Sequence, residues 1–225
     1  MSDGVPARGP LPASLIEQFA RLGSATVYEA TGQRGLIDVD WRQIVPRSSV
    51  AGPARTALCG QGDNLMAHEL LTGVRPGDVL VLTMPQAAPF ALVGDLMVTQ
   101  AKVQGAAALL VDAAVRDLDR LTEIGLPIWT RHVSMRGTTK HVLGTIDEPV
   151  CIGDQPIAPG NLLVLDADGV TVVERDRVQE ALALSLAREV NERDAKERIL
   201  GGALTHDLFG FRAHLERSRR AGTDA

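Results

Sequence analysis

Two segments of the chain repeat one pattern that is typical of the start of a buried β-strand. They read RPGDVLVL at 75–82 and APGNLLVL at 158–165. In both, a Pro-Gly pair followed by a polar residue predicts a tight turn, and the apolar run after it predicts a strand. We therefore expect two equivalent strands, each preceded by the same kind of turn.

Short apolar runs elsewhere in the chain predict further strands. Their ranges are 107–111, 127–133, 142–146, 150–152 and 170–173. The run from Val50 to Cys59 also has β character, but it contains Gly52 and Pro53, so we predict an edge strand or a bulged strand there. Because strands outnumber the helices of the core, the pattern predicts an α/β domain with a mixed sheet and flanking helices.

Apolar residues at helical spacing predict two short helices at the start of the domain. Thr26 and Glu29 have the spacing of a capping box for the second of these helices. Another helix is expected over 64–71, capped by Asp63 or Asn64. Its short length leaves the central part of the chain dominated by strands.

The last fifty residues have a different character. From 178 to 200 the pattern is helical and charged, and a break at Gly201-Gly202 leads to a last segment that ends near Leu215. This extension is polar on much of its surface and short of a core of its own, so we expect it to pack on a neighbouring subunit. The predicted divisions are a disordered arm at 1–10, a domain at 11–176, a helical extension at 177–216 and a disordered tail at 217–225.

Composition excludes several classes of function. Aromatic residues make up 3% of the sequence, too few for base-stacking platforms, and the net charge of −5 provides no basic surface for nucleic acid. No apolar stretch approaches the length of a membrane span, and the first residues lack the pattern of a signal peptide, so we expect a cytoplasmic protein without a membrane partner. Cys59 and Cys151 are far apart in the sequence, as is typical of free thiols in a reducing compartment.

Gly94 and Asp95 stand at the start of a helix predicted over 95–104. The free N–H groups of Leu96 and Met97 at its first turn would face an incoming carboxylate or phosphate. The alternative is that Asp95 only caps the helix.

Arg116 and Asp117 follow the strand predicted at 107–111 and precede another short helix. At a strand-to-helix turn both side chains can reach one cavity, where they offer a fixed cation for an oxyanion and a hard oxygen ligand for a metal. The alternative is a surface ion pair beside a helix cap. The five histidines lack zinc-site spacing, although His68 lies one helical turn after Asn64 and could line the same cleft.

Together, Gly94-Asp95 and Arg116-Asp117, with twenty residues between the pairs, resemble the pattern of a known family. This family comprises the 4-hydroxy-4-methyl-2-oxoglutarate and 4-carboxy-4-hydroxy-2-oxoadipate aldolases, class II pyruvate aldolases related to the regulator of ribonuclease E activity A. The resemblance runs from about Ala25 to Leu215 through the segments ATVYEATGQRGL, GDNLMAH, RPGDVLVL, GDLMVTQAKVQG, LLVDAAVRD, LDADGV and KERILGGALTHDLFGFR.

The resemblance implies a role for each matching residue. Asp117 would bind Mg2+ or Mn2+ directly, and Arg116 would contact the keto oxygen of pyruvate and stabilise the enolate. Asp95 would exchange a proton with the pyruvyl methyl group through a water, and Glu192 of an adjacent subunit would reach the metal through a water. The remaining substrate contacts would come from Gly94, Asn64 and the backbone of Leu96 and Met97.

The resemblance also implies a fold and an assembly. The expected fold is the β/β/α swivelling-domain architecture of this family, in which 11–176 forms the catalytic domain. The expected assembly is a homotrimer or a homohexamer with sites at subunit interfaces. Two departures concern the part of the pocket that binds the non-pyruvyl half of the substrate: Tyr28 stands where these aldolases usually have histidine, and the segment 87–93 replaces a polar stretch.

The function that follows is metal-dependent cleavage of a 4-hydroxy-2-oxo acid to pyruvate and a second oxo acid. Oxaloacetate decarboxylation passes through the same enolate and is an expected side activity. One alternative is a lyase for a different 2-oxo acid, and another is a non-catalytic trimer that regulates a ribonuclease. A class I aldolase would need a desolvated lysine, for which Lys102, Lys140 and Lys196 are the candidates.

Overall fold

The computed structural model of the chain describes residues 11–223, so the predicted arm at 1–10 lies outside the described residues. The helices are α1 Ala13–Leu22, α2 Ser24–Ala30, α3 Leu65–Leu70, α4 Asp95–Val103, α5 Leu118–Ile124, α6 Val178–Leu200, α7 Thr205–Leu208 and α8 Phe211–Thr223. The strands are β1 Arg42–Gln43, β2 Val50–Leu58, β3 Val79–Thr83, β4 Ala91–Val93, β5 Ala108–Val115, β6 Ile128–Val133, β7 Thr145–Ile146, β8 Val150–Ile152, β9 Gln155–Ile157, β10 Leu162–Leu165 and β11 Val170–Val173.

Within the described residues, nine strands form one mixed sheet with the order β1-β6-β5-β3-β2-β10-β11, to which β4 adds beside β5 and β7 beside β2. The strands β2, β3, β5 and β6 run parallel, while β10 and β11 are antiparallel to their neighbours. A separate hairpin consists of β8 and β9. This arrangement confirms the predicted α/β domain with a mixed sheet and flanking helices.

The two repeated turns have the same structure. In the first, the Asp78 carboxylate accepts a hydrogen bond from the N–H of Arg75 at 2.8 Å. In the second, Oδ1 of Asn161 accepts one from the N–H of Ala158 at 2.9 Å. The strands that follow them, β3 and β10, lie on either side of β2, so the prediction of equivalent strand starts is confirmed.

Of the two alternatives predicted at Val50–Cys59, an edge strand or a bulged strand, the edge strand is wrong, because β2 lies inside the sheet. Pro53 is the last residue of β2 that pairs with β10, and Ala54 is the first that pairs with β3. The proline therefore stands where the strand changes partners. A proline, which lacks an N–H group, is tolerated where the hydrogen-bond ladder is interrupted.

The strand β5 is longer than predicted, since it continues past Val111 to Val115. It pairs with β3 as far as Val111, and then with β4 at Ala114 and Val115. Strand β4, which was not predicted, takes the position beside β5 that β3 leaves. Of the strand predicted at 142–146, only Thr145 and Ile146 are extended.

A buried carboxylate lies at the point where β5 changes partners. Asp112 is 4% exposed and accepts a hydrogen bond from the hydroxyl of Thr83, the last residue of β3, at 3.1 Å. Its other oxygen pairs with the guanidinium of Arg131 on β6. The register between β5 and β6 shifts at the same place, between Val111 and Ala114. Such a bulge redirects a strand and its side chains.

Three hydrophobic clusters fill the spaces around the sheet. One lies between the sheet and α3 and α4, with Leu80 and Leu109 at its centre. A second lies on the opposite face under the β8–β9 hairpin and contains Trp129. The third joins α1, α2 and the start of α6 to β10. The cysteines are free as expected, and burial raises the pKa of Cys59 to about 12, which leaves that thiol inert.

The capping box predicted at Thr26 and Glu29 is absent, because α2 already begins at Ser24 and Thr26 lies inside the helix. The N–H of Ser24 and its hydroxyl both donate to the Asp166 carboxylate, at 2.7 and 2.6 Å. That carboxylate belongs to the turn between β10 and β11. A tertiary contact has therefore replaced the local cap that the spacing predicted.

The C-terminal extension packs on its own domain only at its beginning. The buried residues of α6 end at Ser185, and the rest of the extension exposes apolar side chains. The most exposed of these are Leu200, Leu204, Phe209, Val190 and Phe211. Part of the predicted disordered tail at 217–225 is helical, because α8 continues to Thr223, and residues 224 and 225 lie outside the described residues. No helix in the described part of the chain is both long and apolar enough to cross a membrane.

Replacing Asp166 with alanine is expected to lower the free energy of unfolding by about 1–3 kcal/mol, because the two hydrogen-bond donors of Ser24 lose their acceptor. The measurement is urea denaturation followed by circular dichroism. Thr26→Ala serves as the control and should change the stability by no more than about 0.5 kcal/mol. Equal losses in both variants would contradict the assignment of the helix start.

Candidate active site

The pairs Gly94-Asp95 and Arg116-Asp117 meet at the carboxyl ends of adjacent parallel strands. Gly94 directly follows β4, and Arg116 directly follows β5. The N–H of Arg116 donates to the carbonyl of Val93 at 3.2 Å, so the two strand ends are bonded together. Ligand sites of α/β proteins often form at such carboxyl ends.

Asp117 is in the left-handed region of backbone conformation, with φ 64° and ψ 40°. Aspartate tolerates this conformation better than most residues do. The turn brings its Oδ2 to 3.2 Å from the N–H of Asp95, which donates a hydrogen bond, and to 3.5 Å from Nε of Arg116. One carboxylate oxygen therefore contacts both halves of the site.

Gly94 leaves the space that the Asp117 carboxylate occupies. A Cβ atom at position 94 would lie 2.5 Å from Oδ2 of Asp117 and 3.1 Å from Nε of Arg116. Its φ of −135° is open to any residue, so the requirement for glycine is one of space. The close approach explains why glycine stands before Asp95.

The Asp95 carboxylate is bound by two donors. One oxygen accepts the N–H of Leu96 and the other accepts Nη1 of Arg120, each at 2.8 Å. The hydrogen bond from Arg120 is the main cause that lowers the pKa of Asp95, so the group stays ionised at neutral pH. Arg120 was not predicted as a site residue, although its position three residues after Asp117 on a helix was a usable signal.

The backbone N–H groups of Leu96 and Met97 are in different states. The Leu96 N–H already donates to Asp95, whereas the Met97 N–H has no acceptor within the part of the chain that the structure describes. The Leu96 side chain is 82% exposed and that of Met97 is buried. The N–H of Met97 is thus the open position for an anion at the start of α4.

Asn64 lies beneath this helix start. Its amide nitrogen donates to the carbonyl of Leu92 at 2.9 Å and contacts the sulfur of Met97 at 3.7 Å. The residue is 5% exposed, and its Oδ1 has no hydrogen-bond partner among the described residues. A buried acceptor of this kind favours a water or ligand hydroxyl as its donor. The predicted capping role falls to Asp63 instead, which accepts the N–H of Leu65 at 2.8 Å.

Asp63 is fully buried and holds two loops together. In addition to the N–H of Leu65, its carboxylate accepts the hydroxyl of Thr139 at 2.6 Å and the N–H groups of His141 and Val142 at 2.7 and 3.2 Å. Burial alone would raise the pKa of Asp63, but these hydrogen bonds outweigh it and hold the pKa well below its usual range. The loop around Thr139 is thereby fixed next to Asn64.

Other predicted residues are not brought into the site of a single chain. His68 is exposed on α3, where partial desolvation and the charge of Lys140 lower its pKa, and it has no side-chain hydrogen bond to the site residues described above. Glu192 lies on α6 and pairs with Arg188, whose Nε is 2.8 Å from its Oε1. Since α6 packs on α1 and α2, Glu192 does not reach Asp117 of the same chain.

The carboxylates of Asp95 and Asp117 are the oxygen ligands that this site offers. The described residues contain no group of three or more His, Cys, Asp or Glu side chains arranged to hold a metal ion. Mg2+ is commonly bound through one or two carboxylates and several waters, so the donor set fits Mg2+ or Mn2+ and does not fit a structural zinc site.

Comparison with known proteins identifies the family. A family model described as RraA-like, Aldolase/RraA, matches residues 24–172, a range that includes the whole site. The chain belongs to the RraA-like family. A relative from Halalkalibacterium halodurans, provisionally named 4-hydroxy-4-methyl-2-oxoglutarate aldolase, is 30% identical over 202 residues, which are 90% of this chain and 94% of that protein.

Solved structures of similar proteins share the RraA-like fold. Streptomyces coelicolor RraAS2, described as an unusual member of the RNase ES inhibitor RraA protein family, is 27% identical with a TM-score of 0.71, over 84% of this chain and 98% of its own. An uncharacterized protein from Pseudomonas syringae pv. tomato is 24% identical with a TM-score of 0.75, over 89% of this chain and 95% of its own. The predicted RraA-like architecture is therefore confirmed.

Replacing Asp63 with asparagine is expected to lower the free energy of unfolding by roughly 2 kcal/mol, because a neutral amide cannot accept all four hydrogen bonds. The folded-state pKa of Asp63 is depressed, so its contribution is present above the unfolded pKa of about 3.9 and is lost as the pH falls toward the folded pKa. The difference in free energy of unfolding between the wild type and the variant should therefore stay constant from pH 7 to about pH 5 and begin to shrink as the pH falls below about 4. Asp40→Asn, at an exposed position, is the control, and parallel curves for Asp63→Asn would contradict this account.

If Asp117 binds Mn2+ as the resemblance implies, replacing Gly94 with alanine is expected to weaken that binding at least about tenfold, since the new Cβ would displace the Asp117 carboxylate. Calorimetric titration with Mn2+ measures the effect. Gly137→Ala is the matched control, because a Cβ there would meet no atom within 4 Å. The idea fails if both alanine variants bind Mn2+ as the wild type does.

Proposed function

We propose that the chain is a metal-dependent lyase that cleaves a 4-hydroxy-2-oxo acid to pyruvate and a second oxo acid. The observation that carries the proposal is the contact of Asp117 with both Arg116 and the N–H of Asp95, beside the open N–H of Met97. Support also comes from the family and from the provisionally named aldolase among its relatives.

The reaction requires stabilisation of negative charge on one oxygen. The bond between C3 and C4 breaks, the C4 hydroxyl loses its proton to become a carbonyl, and the electron pair passes to the enolate of pyruvate. A divalent ion held by Asp117 would supply Lewis-acid polarisation of the keto oxygen when bound. The guanidinium of Arg116 would donate hydrogen bonds to the same oxygen, on which charge develops.

The other site residues would orient the substrate and move protons. The N–H of Met97 would bind the carboxylate of the pyruvyl half at the start of α4. C3 of the enolate gains one proton for the one that the C4 hydroxyl loses, and Asp95, held by Arg120, would orient the water that delivers this proton. Gly94 would line the site, and Asn64 beneath it would supply a buried acceptor to a hydroxyl or water.

A Schiff-base mechanism has little support among the described residues. The amine of Lys102 donates to the carbonyl of Ile124, away from the site. Lys140 and Lys196 are exposed, so neither has the desolvated environment that activates a catalytic lysine. The metal-dependent class is therefore the one that we propose.

We further propose that the active unit is a trimer or hexamer in which a neighbour completes the site. Following the resemblance, Glu192 of the adjacent subunit would reach the metal through a water; within its own chain Glu192 pairs with Arg188. The exposed apolar residues of the C-terminal extension suit burial against another copy. The domain at 11–176 would then be catalytic, and the extension at 177–216 would pack on the adjacent subunit and supply Glu192 to its site.

The site residues described above determine the chemistry of the non-pyruvyl half of the substrate less than that of the pyruvyl half. In the segment 87–93, Phe90 packs under Arg136, whose guanidinium carbon is 3.8 Å from the ring centroid. Tyr28 lies on α2, outside the described site of its own chain. Both differ from the family pattern, so a 2-oxo acid with a different second half is a variant of the same proposal.

A regulatory protein without catalysis is the second candidate. It is favoured by the similarity to RraAS2, which is described as belonging to a family of RNase inhibitors. Such a role would depend on surface contacts and would need neither Asp95 nor a metal.

The test is pyruvate release from 4-hydroxy-4-methyl-2-oxoglutarate, 4-carboxy-4-hydroxy-2-oxoadipate and oxaloacetate, with Mg2+ and with EDTA. We expect release that EDTA abolishes and that falls at least about a thousandfold in Asp117→Ala, because the charge on the enolate loses its main stabilisation. Release from oxaloacetate would show decarboxylation as a side activity. Binding of Mn2+ without release from any of the three acids would indicate a different substrate, and absence of both would favour the regulator.

A further inference from the structure

Arg120 connects the two halves of the candidate site. It lies on α5, one turn after Asp117, and its Nη1 is 2.8 Å from Oδ2 of Asp95 at the start of α4. The contact therefore bridges two helices that begin at different strand ends. An ion pair within one helix would not connect the residues that follow β4 with those that follow β5.

With this contact, Asp95 is held at three points. Its N–H donates to Oδ2 of Asp117, one carboxylate oxygen accepts the N–H of Leu96, and the other accepts Arg120. Without Arg120, the second oxygen would be free to turn about the side-chain torsions. The guanidinium thus fixes the direction in which the carboxylate presents its remaining lone pairs.

The contact contributes little to folding. The side chain of Arg120 is 73% exposed, and exposed ion pairs stabilise proteins only slightly because water and salt screen them. Its loss should therefore leave the fold intact. An effect on catalysis would then report on Asp95 and not on stability.

We propose that Arg120 is a positioning residue that acts through Asp95 in proton transfer to the substrate carbon. The inference rests on the proposed lyase function. Arg120 does not contact the reacting atoms in this account. It sets the orientation of the carboxylate that holds the proton-carrying water.

The test measures exchange of the pyruvate methyl protons with deuterated water by NMR in the presence of Mg2+, together with kcat and KM for pyruvate release. Arg120→Ala is expected to lower the exchange rate and kcat by about 10–100-fold with KM changed less than about threefold, since the loss is in proton transfer. Arg120→Lys should restore part of the rate because a lysine keeps the charge but not the planar fork. Arg177→Ala is the control, because it removes an exposed ion pair with Glu180 (3.1 Å) away from the site.

A double-mutant cycle separates action through Asp95 from other roles. If Arg120 acts through Asp95, Arg120→Ala should have no further effect on exchange in the Asp95→Asn background. An equal loss in both backgrounds would overturn the proposal. A rise in KM with unchanged kcat would also overturn it, because Arg120 would then bind substrate directly. If wild type shows no exchange and no release, the lyase function fails and the role of Arg120 fails with it, whereas an active wild type with an equally active Arg120→Ala defeats only the role of Arg120.

Discussion

The buried pairing of Asp112 with Thr83 and Arg131 marks the point on which the geometry of the site depends. Thr83, the last residue of β3, donates its hydroxyl hydrogen bond to the Asp112 carboxylate, and Arg131 on β6 forms an ion pair with the same carboxylate. Beyond this point β5 pairs with β4 in place of β3. The chain between β3 and β4 therefore leaves the sheet after Thr83 and returns as β4 beside the last residues of β5. Because of this exchange, the ends of β4 and β5 are adjacent, and the two motifs that follow them share one carboxylate contact.

Features determined by nearby residues were predictable from the sequence. The turns before β3 and β10 were found because a Pro-Gly pair and a side-chain acceptor act within four residues. The central position of β2 and the existence of β4 were not found, because both depend on pairing with remote strands. The same limit explains the false capping box at Thr26, since the true partner of the helix start is Asp166, more than a hundred residues later.

Prediction of the site had a similar boundary. Position in the sequence singled out Gly94, Asp95, Arg116 and Asp117, resemblance supplied their roles, and the fold brings these four together. Arg120 was missed: its position one turn after Asp117 could be read from the sequence, but its contact with Asp95 depends on the packing of α4 beside α5. The buried carboxylate of Asp63 was considered only as a helix cap, although its hydrogen bonds mainly secure a distant loop. Glu192 belongs to an expectation about a second subunit, which the geometry of one chain does not address.

The left-handed backbone at Asp117 bears on how proteins of this shape diverge. Asparagine and glycine accept a φ of 64° about as readily as aspartate does, whereas β-branched residues do not. The backbone conformation therefore limits which residues can replace Asp117, whatever the chemistry of their side chains. A single exchange to asparagine would remove the negative charge and leave the turn unchanged. One substitution thus separates a chain with a negative charge at this turn from a chain of the same shape without it.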